Sequence, residues 1–111
     1  MTQFDERKDR FEKEYAHNAE VVFKAEARAC KLFGLWLSEK IGLGEDEANA
    51  YATDIIQENM KEPGFDDVIE FVWPTVQDKN LGYSQHQLLE KLNQFFDKAK
   101  LQIVTEHKEG L

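Results

Sequence analysis

The chain has 111 residues, 41% hydrophobic, 12% aromatic and 32% charged, with a formal net charge of −8 and a pI of about 4.8. That length suits one domain with a modest core that needs neither disulfide nor metal. The acidic balance argues against nucleic acid as a partner, which calls for clustered Lys and Arg, and equally against adhesion to anionic lipid.

Residues 1–18 stand apart from the rest. The stretch 5–14, DERKDRFEKE, contains Phe11 as its only uncharged residue. Its charges are ordered for helix, because Glu6 with Arg10 and Asp9 with Lys13 are acid-before-base pairs at i, i+4. Phe4, Lys8, Phe11 and Tyr15 follow helical spacing along one line. That line carries only three large apolar side chains, so docking it on a core gains little. Short isolated helices are marginal in water. Composition leaves two readings open: a partly helical, loosely attached arm, or an ordinary first helix packed on the body. We take the first, with residues 1–18 as the arm and 19–111 as a helical bundle domain.

Residues 21–41 form the longest apolar-periodic run and the hub of the expected fold. Phe23, Ala27, Cys30, Phe33, Leu37 and Ile41 make one row at spacings of three and four. Val22, Ala25, Ala29, Leu32 and Trp36 make a second, so this helix should touch more than one neighbour. Gly42 and Gly44 mark its end. Glu45, Asp46 and Glu47 place negative charge at the next helix start, where the dipole favours it. Ala48, Tyr51, Ala52, Ile55, Ile56 and, less regularly, Met60 give that helix an apolar face over 45–60. It stops before Pro63-Gly64.

Residues 65–80 are ambiguous. The run VIEFVW would suit a strand, but no partner strand exists elsewhere, so a helix near 66–79 is predicted, kinked or ended at Pro74. Ser84 and Gln87 form an S-x-x-Q capping box that opens a last helix over 84–105. Leu88, Leu89, Leu92, Phe95, Phe96, Ala99 and Ile103 supply its apolar face, and residues 106–111 should fray. The expected fold is therefore all-α, a small four-helix bundle, with Phe23, Phe33, Trp36, Ile55, Leu92 and Phe95 in its core.

Enzymatic signals are close to absent. Cys30, the only cysteine, reads as a small buried hydrophobe; it permits no intramolecular disulfide. His17, His86 and His107 lack ligand-like spacing and read as surface residues. No Cys/His cluster suggests a metal site, no Gly-rich loop follows a strand, and no Ser or Thr sits in a nucleophile motif. Trp36 and Trp73 read as core fillers. The N-terminus has no apolar stretch, so no signal peptide is expected, and no window approaches the roughly 18 apolar residues of a membrane span. The expectation is a soluble, cytoplasmic, non-enzymatic binding or regulatory protein.

Several stretches carry a family resemblance. Phe4-Asp5-x-Arg7 and Phe11-Glu12-x-x-Tyr15-Ala16 open it. Phe23-Lys24-x-x-Ala27-Arg28, Lys31-Leu32-x-Gly34-x-Trp36, Glu39-Lys40-x-Gly42-Leu43, Ala50-Tyr51-Ala52 and Pro63-Gly64 continue it. Together they resemble the zeta subunit, the ATPase inhibitor subunit, of the α-proteobacterial F-type ATP synthase. The match weakens after Asp67. It departs from the family pattern at Ala29 and Cys30, where a second Arg and an Asn are usual, at Asn18, and at Pro74.

The resemblance implies a helical bundle whose N-terminal segment wedges between subunits of the synthase's catalytic head and blocks rotation in the hydrolysis direction. The implied location is cytoplasmic and peripheral to the inner membrane. Phe4, Phe11 and Tyr15 would be the aromatic anchors, and Arg7, then Arg10, would pair with acidic groups, for which a planar guanidinium is suited. Asp5 belongs to the same motif. The resemblance also implies weak adenine-nucleotide binding, with no other cofactor and no metal. A nucleotide-sensing body that moves the arm, or a structural adaptor, are the rival readings. The free protein is expected to be a monomer.

Overall fold

A computed structural model describes residues 18–62 and 64–109. Among them the chain forms four α-helices and no strand, as expected for an all-α protein. Helix α1 spans Ala19–Ile41, α2 Glu45–Lys61, α3 Asp66–Asp78 and α4 Gln85–Glu109. α1 packs along both α2 and α4, and α3 closes the ring against α2 and α4.

Local chemistry sets the helix ends. The Asn18 side chain accepts a hydrogen bond from the Glu20 N–H at 2.9 Å, satisfying one of the unpaired amides of the first turn of α1. At the other end Gly42 is left-handed, with φ 79°. The Gly42 N–H bonds the Glu39 carbonyl and the Leu43 N–H bonds the Ser38 carbonyl, the paired geometry that closes a helix on a glycine. The capping box of α4 is formed as its sequence implies. The Ser84 N–H donates to Gln87 Oε1 at 2.8 Å, and the Gln87 N–H to Ser84 Oγ at 3.1 Å.

The buried line of α1 is Val21, Ala25, Ala29, Phe33 and Leu37, at uniform spacings of four. It falls between the two expected rows, because α2 and α4 flank this helix on adjacent sides. Val68, Ile69, Val72 and Val76 are all buried on α3. Phe65, just before α3, meets Phe96 of α4 edge-on at 5.3 Å, and Tyr51 of α2 lies 6.2 Å from Phe71 of α3.

The α1–α2 crossing depends on a missing side chain. A Cβ on Gly34 would sit 2.7 Å from the Ala52 Cα and 3.2 Å from the Ile55 Cδ1. The first of these is backbone and cannot rotate away. Gly34→Ala gains about 1 kcal/mol of helix propensity, but it must push two helices apart, and overpacking of this kind costs about 1–3 kcal/mol. We expect Gly34→Ala to melt at a lower temperature than the parent. An unchanged or raised melting temperature would mean that the two helices are not in close contact at Gly34.

Four expectations are corrected. Phe23 is 59% exposed and Met60 63% exposed, so neither belongs to the core. Trp36 and Phe95 are only partly buried. Helix α3 forms over nearly the expected range and runs through Pro74 to Asp78, so the proline does not end it. The proline removes the N–H that would bond the Glu70 carbonyl, but Glu70 and Pro74 are exposed, so water can reach that carbonyl. Buried Val72 and Val76 hold the helix down on either side. Finally, α4 does not end near residue 105 but continues to Glu109, and Glu106 is tied to α1 through Arg28.

Candidate functional site

Phe4, Asp5, Arg7, Arg10, Phe11 and Tyr15 all lie outside the described residues. Asn18, with extended φ −64° and ψ 133°, caps α1 at its junction with the preceding residues.

Close to that junction lies an open groove of about 230 Å³ between the start of α1 and the end of α2, lined by Phe23, Glu26, Asn59, Met60, Lys61 and Glu62. Its two apolar walls are the exposed Phe23 and Met60. Asn59 is only 7% exposed. Its amide nitrogen reaches Glu26 Oε2 at 3.4 Å, while among the described residues its side-chain oxygen has no hydrogen-bond partner. Lys61 is engaged by Glu58 at 2.9 Å, so Glu26 and Glu62 give the rim an acidic character. Helical periodicity alone puts Phe23 and Met60 in the core; the one signal to the contrary is the broken spacing of Met60.

Arg28 is held on the other flank of α1. Its Nη1 and Nη2 donate to Glu106 Oε1 and Oε2 at 2.7 and 3.1 Å, and Nη1 also reaches Gln102 Oε1 at 3.4 Å. The hydrogen bond to Glu106 raises the guanidinium's pKa, and the bond from Arg28 lowers that of the Glu106 carboxyl. Glu106 is exposed, so the pair is screened by water and contributes little to stability. Its role is to fix the end of α4 on α1.

Trp36 sits among Phe33, 5.9 Å away, and Tyr83, 5.3 Å away. Lys40 and Lys91 place their ammonium groups over its ring at 5.9 and 5.4 Å. A base stacking on this indole would have to displace them. His86 is exposed and pairs with Glu90 at 2.8 Å. Among the described residues no cluster of three or more His, Cys, Asp or Glu is arranged to hold a metal ion, and no helix is long and apolar enough to cross a membrane.

Cys30 is fully buried. Burial, with the negative charge of Glu26 adding to it, pushes its thiol from 9.0 up to about 12. The thiolate is the reactive form, so iodoacetamide near neutral pH should leave Cys30 intact in the folded protein and modify it only in denaturant, as read by mass spectrometry. Rapid alkylation without denaturant would contradict its placement. The folded thiol holds its proton more tightly than the unfolded one. Its contribution to stability is therefore complete below 9.0 and is lost as pH rises toward about 12.

The family model described as ATPase inhibitor subunit zeta matches residues 1–102. No curated protein matches the chain. A protein whose structure was solved by solution NMR is 37% identical, with 76% of this chain and 95% of that one covered and a TM-score of 0.64.

Proposed function

The chain belongs to the ATPase inhibitor subunit zeta family, and from that membership we propose that it restrains ATP hydrolysis by a rotary F-type ATP synthase, inserting residues 1–18 at a catalytic subunit interface of the head. The observation that carries this reading is the extent of the family match, which begins at residue 1 and so includes the charged arm. The described body supports it from the other side. It has its own capped start at Asn18 and a hydrophobic core drawn from α1 to α4. The partner is the catalytic head, and the protein is a non-enzymatic, monomeric regulator, peripheral to the membrane through that head.

In this reading Phe4, Phe11 and Tyr15 enter apolar pockets, and Arg7 and Arg10 meet carboxylates, with Asp5 on the same segment. A segment that orders on binding gives up affinity per unit area but can be released. Weak adenine-nucleotide binding is the separate proposal that a sensor would need. The test is ATP hydrolysis by the cognate head with and without the chain, beside a titration of the chain with ADP and ATP. Inhibition is the expected result. Nucleotide binding with no inhibition would replace this reading with the sensor, and neither effect would leave a structural adaptor.

A further inference from the structure

The seam between α1 and α4 carries a patch whose charge runs against that of the whole chain. The chain has 22 acidic against 14 basic side chains, so a cation on its surface rarely lacks an acid. Lys24, Arg28, Lys61 and Lys100 each hold a carboxylate. Lys40 of α1 and Lys91 of α4 do not: among the described residues neither has a carboxylate within ion-pair distance. Both ammonium groups sit instead over one indole, that of Trp36, and Lys91 also lies 5.3 Å from the Phe95 ring. A ring face attracts the charge through its quadrupole. An ammonium has three N–H donors, and those turned away from the ring remain for an acceptor.

The patch is fixed from below and open above. Trp36 stacks on fully buried Phe33 and meets Tyr83 at 5.3 Å. Trp36, Tyr83 and Phe95 are each only partly buried, and Lys40 is exposed. Side chains already held in place lose little freedom when a partner arrives, and Trp and Tyr are the residue types that most often dominate an interface.

We propose that Trp36, Tyr83, Phe95, Lys40 and Lys91 dock an acidic segment of the synthase's catalytic head. Its carboxylates pair with the two lysines, and an apolar side chain packs against the exposed parts of the three rings. The choice of the head as partner rests on the inhibitory reading of the arm; the acidic and apolar character of the segment follows from the patch itself. Trp36 lies about 25 Å along α1 from Ala19 at 1.5 Å per residue, so this contact is well separated from the junction with the arm. Two linked contacts raise each other's effective concentration. The body contact holds the arm near its interface and does not itself stop hydrolysis.

The test measures binding of the full chain to the isolated cognate head, beside ATP hydrolysis. Lys40→Glu combined with Lys91→Glu should weaken binding at least tenfold at low salt, with a nearly unchanged melting temperature. The loss should shrink as NaCl is raised, because salt screens exposed charges. Lys24→Glu combined with Lys61→Glu makes the same change in net charge on lysines that already hold carboxylates, and should weaken binding far less. Carbodiimide, which couples an amine to a carboxylate in contact with it, should join Lys40 or Lys91 to an Asp or Glu of the head, as read by mass spectrometry after digestion. Equal losses in the two double variants would reduce the effect to net charge and overturn the patch. So would coupling of Lys40 and Lys91 only to a second copy of this chain, or to nothing. A parent that inhibits while the Lys40/Lys91 variant binds as tightly would remove this surface alone. A parent that neither binds nor inhibits the head would remove the inhibitory reading, and this surface with it.

Discussion

Phe11→Ala should weaken inhibition of ATP hydrolysis by roughly thirty- to several-hundred-fold. A buried aromatic anchor at an interface contributes about 2–4 kcal/mol on truncation, and about 1.4 kcal/mol is a factor of ten. Phe11 is the central aromatic of the arm and the only uncharged residue between positions 5 and 14, so no neighbour can take over its pocket. Arg7→Ala should also weaken inhibition, because a guanidinium desolvated against a carboxylate leaves that acid unpaired when it is removed. Lys13→Ala should matter far less, since ion pairs at a wet rim contribute about 0–1 kcal/mol. Dose–response curves on the isolated head rank the three. Equal potency of Phe11→Ala and Lys13→Ala would contradict an anchor at Phe11.

Phe33→Ala should destabilise the body by about 3–5 kcal/mol, the range for emptying a buried phenylalanine site. Phe33 is fully buried at the centre of the α1 line, on the helix that packs against both α2 and α4. Its ring stacks on Trp36, so its loss also uncovers that indole from beneath. For a body of this size the shift in melting temperature is on the order of 20 °C. Trp36→Ala should cost less, because Trp36 is only partly buried and part of its ring faces Lys40 and Lys91 instead of the core. If thermal melting ranks Trp36→Ala as the more damaging of the two, the core is centred elsewhere than the structure places it.

These two residues show what can be read from the chain and what cannot. Helix ends are legible because they are written locally. Gly42 supplies a left-handed cap and Ser84 with Gln87 a reciprocal one, each within six residues of chain. Helix type is legible from periodicity, even across VIEFVW. Burial is legible only to within a row. Phe33 and Trp36 lie three residues apart on one apolar stripe, and only the positions of α2 and α4 decide which is enclosed. Phe23 and Met60 fit the periodic pattern, yet Val21 and Asn59 close beside them are the buried positions, because which side of each helix end is covered depends on the neighbouring helices. The contact of Gly34 with Ala52 is a property of two helices together. Pro74 reads as a break from its own chemistry, yet the lost hydrogen bond faces solvent and the packing of Val72 and Val76 outweighs it. The arm residues stand out by charge, by aromatic spacing and by a family resemblance, and they lie outside the described residues.

The fragment 18–111, which keeps the Asn18 cap, tests the division of labour most directly. It should melt close to the full chain, whereas removing Asn18 as well should cost about 0.5–2 kcal/mol, the usual loss for a helix cap. Added to the cognate catalytic head beside the full chain, the folded fragment should leave ATP hydrolysis unrestrained over concentrations at which the full chain suppresses it. Equal inhibition by the two would place the inhibitory surface on the body and contradict the account.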